Sequence, residues 1–179
     1  MLDRNKTALV IVDVQGKLAS LMSDSETLYQ NLSVMTQGAK ALELPIIWLE
    51  QLPDKLGPTI PQIADHLTNQ APIAKNCFSG CQSVAFMDAL VSTGCKNVLL
   101  VGIEAHICVY QTAMDLLRKG YHVEVISDAV SSRNAANKTV ALNRMQQAGA
   151  SVSCTEMVLF ELQGVAEGES FRQILNLIK

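Results

Sequence analysis

Three side chains in this sequence can combine into one reactive centre: the carboxylate of Asp13, the ammonium of Lys75 and the thiol of Cys108. A carboxylate can take a thiol proton, a nearby cation favours the thiolate, and the thiolate is the attacking species. Each group also has a plain structural reading. Asp13 can cap a loop, Lys75 can be a solvated surface charge, and Cys108 can be an inert core thiol. Position in the chain argues for more. Cys108 follows the apolar run Val98 to Val101, closed by Gly102, and opens the amphipathic run Cys108 to Lys119. It stands where a strand hands over to a helix, beside unpaired first-turn N–H groups and the positive end of a helix dipole. With Lys75 as its cation, Cys108 is expected to be a thiolate well below the free-cysteine pKa of about 8.5.

The elements that must hold these groups are legible as periodic runs. Thr7 to Val12 is continuous, apolar and largely β-branched, as an interior parallel strand requires, and it ends at Asp13. Thr27 to Leu44 places Leu28, Leu32, Met35, Ala39 and Leu42 at helical spacing, and Pro45 stops it. Ile46 to Leu49 begins a second strand, with Glu50 and Gln51 at its end. The proline-rich stretch Leu52 to Pro61 reads as a loop that forms a pocket wall or lid. Ala71 to Lys75 is short and extended, and Ser83 to Thr93 is a helix capped by Gly94. Tyr121 to Ile126 is a strand ending at Ser127-Asp128-Ala129, and Ala135 to Gln147 is a helix. Ser151 to Ser153 supplies a short strand, and about Ser170 to Leu177 a last helix.

This alternation predicts one domain over residues 1–179, a three-layer α/β/α fold around a doubly wound, mostly parallel sheet. Ligands bind such sheets at the carboxyl ends of the strands, which is where Asp13, Lys75 and Cys108 all fall.

Several function classes are disfavoured. There is no GxGxxG after the first strand and no GxxxxGK[ST], so a dinucleotide or P-loop site is not expected. His66 and His122 read as structural or exposed. His106 is a pocket candidate, but it lies in no HxH or HxxxH pattern, and Cys77 and Cys81 lack a second ligand pair. No metal and no cofactor are expected. Lys and Arg number 14 against 17 Asp and Glu, a net charge of -3 that gives no reason to expect nucleic acid or an anionic membrane as partner. The first residues lack the apolar segment of a signal peptide, and no run reaches transmembrane length. The five widely spaced cysteines read as free thiols in a reducing cytoplasm.

Four segments, in order, resemble the isochorismatase-like cysteine hydrolase superfamily: Val12-Asp13-Val14-Gln15; Lys75 followed by Phe78-Ser79; Gly102 to Val109; and Ser127 to Arg133. Glu50-Gln51 with Leu56-Gly57, and Ser153 to Glu156 with Phe160-Glu161-Leu162, are most similar to the isochorismatase domain-containing proteins. The resemblance implies a triad in which Asp13 is the base for Cys108, Lys75 lowers the thiol pKa, and a thioester-type intermediate forms on a small amide-like or related carbonyl substrate. It also implies a cis peptide at Ile103-Glu104 and an oxyanion hole from the backbone N–H groups of Glu104 and Cys108. Members commonly form dimers or larger homo-oligomers. The metal-binding Asp-x-His of the nicotinamidase branch is replaced here by Glu50-Gln51-Leu52. Cys108 argues against isochorismate, whose vinyl-ether hydrolysis needs an acid rather than a nucleophile. Gln15, Gln51, Phe78, Ile103 and His106 are expected to line the substrate pocket, with Gln15 and Gln51 equally able to serve behind it. A binding protein that kept the fold, or a redox-reactive thiol, stays open as an alternative.

Overall fold

The chain's apolar runs pair side by side in one six-stranded sheet, every neighbour parallel, in a computed structural model that describes residues 1–179. The strands are β1 (Thr7–Val12), β2 (Ile46–Gln51), β3 (Ile73–Lys75), β4 (Asn97–Ile103), β5 (His122–Ser131) and β6 (Ser151–Ser153). Their spatial order is β3-β2-β1-β4-β5-β6, so the chain winds outward from β1 to one edge and then restarts at β4 on the other side of β1. The crevice beyond β1 and β4 is the switch point at which such sheets bind ligands. Asp13 follows β1, and Cys108 lies five residues past the end of β4.

Every residue of β1 is buried, because helices cover both faces. Leu9, Ile11, Leu99 and Val101 point to one side. They pack under α2 (Ser25–Ala41), α4 (Pro61–Ala64), α8 (Thr155–Gln163) and α9 (Glu169–Ile178). Ala8, Val10, Leu49 and Leu100 point to the other, under α5 (Val84–Ser92), α6 (Tyr110–Arg118) and α7 (Ala135–Gln147). Two short helices, α1 (Gly16–Ser20) and α3 (Pro53–Leu56), complete the set.

Four details depart from the sequence reading. The stretch 52–61 is not a plain loop: α3 and α4 each begin with proline in their first turn, where its missing N–H costs nothing. Cys108 does not open a helix; it lies inside a π-helical turn, Ala105–Val109, that precedes α6. The strand from residue 122 runs on to Ser131 through a register shift opposite Leu100 and Gly102. Helix α8 has no counterpart in the sequence reading. Its apolar residues Val158, Leu159 and Leu162 are buried while Met157 is exposed, and its N-terminus is capped from a distance by Asp128, which accepts from Thr155 N and Oγ1.

One glycine sets the approach of β1 to β4. Gly102 has φ +119°, and a Cβ there would lie 2.1 Å from the Val12 carbonyl oxygen. Gly102→Ala is therefore expected to cost about 3 kcal/mol or more in urea unfolding. Gly94→Ala, at φ +68° with nothing within 4 Å, should cost only about 1 kcal/mol. Equal losses would contradict a tight β1–β4 contact at the switch point.

Candidate active site

The site begins with a backbone turn. Asp13 leaves β1 at φ +53°, in the left-handed region that a short polar side chain tolerates better than most. Its N–H still donates to the Leu49 carbonyl at 3.1 Å, so the turn is pinned to β2 while the carboxylate swings inward. That carboxylate is 2% exposed. Lys75, the last residue of β3, donates from Nζ to Asp13 Oδ2 at 2.6 Å, with its side chain wholly buried.

Burying an ammonium is costly unless its protons are used. Lys75 Nζ also donates to Gln51 Oε1 at 2.7 Å and to the Cys77 carbonyl at 3.1 Å, with the Phe78 carbonyl at 3.4 Å. Its donors are thus fully committed. Gln51 is held in turn by Gln15: the Gln51 N–H donates to Gln15 Oε1 at 2.6 Å, and Gln15 Nε2 donates to the carbonyls of Gln51 and Gly57. The ends of β1, β2 and β3 are stitched together behind the ammonium.

The second oxygen of Asp13, Oδ1, is buried and has no hydrogen-bond partner. The carboxylate and the Cys108 thiol each act on the other's ionisation. Burial raises the Asp13 carboxyl above its usual range, opposed by the Lys75 charge and hydrogen bond and by the thiol, and abetted by Glu50. Glu50 is itself held by Thr59, whose N–H and hydroxyl both donate to Glu50 Oε1 at 2.7 Å. The Cys108 thiol is pushed up to about 12, first by burial and then by the Asp13 charge, with Lys75 opposing. The expected low-pKa thiolate is therefore corrected: desolvation and the adjacent carboxylate outweigh the lysine. Both groups are thus shifted toward their protonated forms, the thiol most of all.

Around Cys108 the backbone is shaped by Glu104. The Ile103-Glu104 peptide is cis. The Glu104 carbonyl accepts from Ile107 N at 3.0 Å and Val109 N at 3.3 Å, closing the turn, while the Glu104 N–H donates to no group of the chain. The Glu104 carboxylate is 5% exposed and accepts from Arg133 Nε and, at 3.2 Å, from Arg133 N. His106 Nδ1 lies 3.4 Å from the same carboxylate and 2.9 Å from Ser132 Oγ.

Of the pocket residues read from sequence, two do not line a pocket. Gln15 is fully buried with both amide atoms spent on backbone, and Ile103 is fully buried on the α2 and α8 side, because it shares the parity of Leu99 and Val101. Phe78 is exposed at 56%, and His106 is a quarter exposed. Gln51 is 7% exposed, with its carbonyl oxygen turned to Lys75. Leu52 to Lys55 does form a wall, of a cavity of about 490 Å³ whose other side is Ala74 to Cys77, Gln82 and Ser83. Arg133 and the Glu104 side chain escaped the sequence reading; both lie in segments it singled out, but their pairing spans 29 residues. No three His, Cys, Asp or Glu side chains converge as metal ligands would.

The family model of the isochorismatase domain matches residues 7–157. Human isochorismatase domain-containing protein 2 is 37% identical over 174 residues, covering 97% of this chain and 83% of that protein. The structure of MAR1 ribonuclease from Caenorhabditis elegans superimposes with a TM-score of 0.92 at 35% identity, covering 99% of this chain and 91% of that one. YcaC of Escherichia coli, described as an octameric hydrolase of unknown specificity, gives 0.93 at 26% identity over 99% and 88% of the two chains. YcaC from Pseudomonas aeruginosa, with hexane-2,5-diol and covalent acrylamide, gives 0.92 at 27% over 98% and 90%.

Two outcomes follow from the buried charges. Lys75→Met leaves Asp13 buried without its cation and should cost about 3–5 kcal/mol in denaturant unfolding, most of it recovered in Lys75→Met with Asp13→Asn. The folded Cys108 titrates above the unfolded thiol, so its stabilisation is complete below about pH 8.5 and is lost as pH rises toward about 12. Over that window stability should fall about 1.4 kcal/mol per pH unit more steeply in the wild type than in Cys108→Ala. Parallel profiles would show that Cys108 is not a buried neutral thiol.

Proposed function

The chain belongs to the isochorismatase family, with the fold of its hydrolases, and from that membership we propose that it is a metal-independent cysteine hydrolase of small amide-like or related carbonyl compounds. The observation that carries this reading is the buried Lys75–Asp13 pair at 2.6 Å, whose second carboxylate oxygen is buried without a partner and whose charge acts on the Cys108 thiol. Covalent acrylamide on a YcaC protein of the same fold supports a nucleophile in such a scaffold.

In the proposed cycle Asp13 accepts the Cys108 proton as sulfur attacks the carbonyl carbon. The resulting oxyanion is stabilised by the unpaired Glu104 N–H and by the Cys108 N–H. Collapse expels the amine, which takes the proton back from Asp13, and leaves a thioester. Water then attacks with Asp13 again as base, releasing the acid and restoring the thiol. Lys75 opposes the burial that raises Asp13 and so favours its ionised form. A thiol that ionises only as bond formation begins also fits a hydrolase better than a redox sensor, which depends on a standing thiolate.

A small substrate is favoured over RNA, despite the name of the Caenorhabditis elegans relative. The net charge of -3 supplies no excess of cations for a polyanion. Phe78 and His106, the more exposed of the expected pocket residues, are the side chains this reading offers to such a substrate. The octameric YcaC, and apolar Phe78, Val84 and Val91 standing more than half exposed, support assembly into a homo-oligomer. Five free cysteines suit the cytoplasm.

The test is adduct mapping followed by turnover. Acrylamide should add to Cys108 in the native protein, located by peptide mass. Cys108→Ala should abolish hydrolysis across a panel of small amides and esters, and Asp13→Asn should lower kcat/KM about a hundredfold or more. Adducts that avoid Cys108, with hydrolysis intact in Cys108→Ala, would overturn the proposal.

A further inference from the structure

The Glu104 carboxylate belongs to none of the steps above, yet it is buried, negatively charged and four residues before Cys108. Its own main chain closes the Cys108 turn, since its carbonyl takes the N–H groups of Ile107 and Val109. A lone carboxylate in that position would oppose any negative charge on sulfur, and it would be costly to bury. It is not alone. Arg133, just beyond β5, holds it through Nε and its backbone N–H, while the Arg133 side chain remains 57% exposed. The planar guanidinium suits a carboxylate in this way and keeps its charge across the working pH range.

From this contact we infer that Arg133 is a positioning residue for the nucleophile: through the Glu104 carboxylate it fixes the Cys108 turn to the end of β5 and neutralises the one negative charge built into that turn. The inference rests on the reading of Cys108 as the nucleophile. The other charged or titratable groups in play are Asp13 beyond β1, Lys75 on β3, and His106 within the turn, with Glu50 on β2 acting through Asp13. Glu104 already counts among the charges that raise the Cys108 thiol. Removing the Arg133 guanidinium leaves it with only a backbone N–H and the His106 ring beside it.

The experiment measures the rate of Cys108 alkylation by iodoacetamide against pH, in native protein, with the adduct confirmed by peptide mass. Arg133→Gln should slow alkylation roughly three- to tenfold at fixed pH, equivalent to a displacement of the log rate–pH line by half to one unit toward alkali. Arg133→Lys, which restores the charge, should return the line to that of the wild type. The double variant Arg133→Gln with Glu104→Gln, which removes both charges together, should react within about twofold of the wild type. A wild-type line that does not move in Arg133→Gln would overturn the inference and leave the nucleophile standing. So would a double variant slower than Arg133→Gln, the result expected if the pair only holds the turn in shape. Failure of Cys108 to alkylate in the wild type would instead remove the hydrolase reading on which the inference rests.

Discussion

An ammonium group with no exposure to water is the constraint on which this molecule is arranged. Lys75 cannot be buried cheaply, and the chain meets the cost by ending three adjacent strands around it. β1 supplies the Asp13 carboxylate, β2 the Gln51 amide, and the segment after β3 the carbonyls of Cys77 and Phe78. Each contribution needs a local departure from regular structure. Asp13 sits at positive φ, Gln51 is held by a second buried amide, and the 77–78 backbone turns back toward its own lysine. Strain and buried polarity gather where function is expected to concentrate them.

The second consequence concerns the thiol. A lysine near a cysteine suggests a thiolate, and in an exposed cleft that would follow. Here Lys75 is already paired with Asp13, whose charge acts on the sulfur more strongly than the lysine's, while Cys108 is 8% exposed. Burial and the Asp13 charge prevail, and the thiol is pushed up to about 12. The hydrolysis proposed above gains from this arrangement. A neutral thiol resists oxidation, and the carboxylate beside it removes the proton only when an electrophile makes the transfer favourable. The part of the lysine in that proposal is to oppose the burial that raises the carboxyl.

How much of this was legible follows from which interactions are local. The sheet was readable because β1 and β4 are continuous apolar runs and their breaks fall at Asp13 and Gly102. The carboxyl-end rule then placed Asp13, Lys75 and Cys108 on one rim, and the structure puts Lys75 directly on Asp13. What failed depended on direction or on distant partners. Ile103 follows strand parity into the far core, and Gln15 spends its amide on residues 36 and 42 positions away. The short helices within 52–64 begin on prolines that read as loop signals. Desolvation of Cys108 and the Glu104–Arg133 pair exist only once the chain is folded, so no spacing in the sequence could report them.

The protonation state of Cys108 at rest is the point on which the account turns, and infrared difference spectroscopy reads it directly. The wild-type spectrum at neutral pH minus that of Cys108→Ala should show an S–H stretching band, shifted by hydrogen bonding to the Asp13 carboxylate and moved again in Asp13→Asn. Such a band means a buried thiol waiting beside its base. Its absence at neutral pH, with the other four cysteines cancelling in the subtraction, would mean a standing thiolate and would contradict the account.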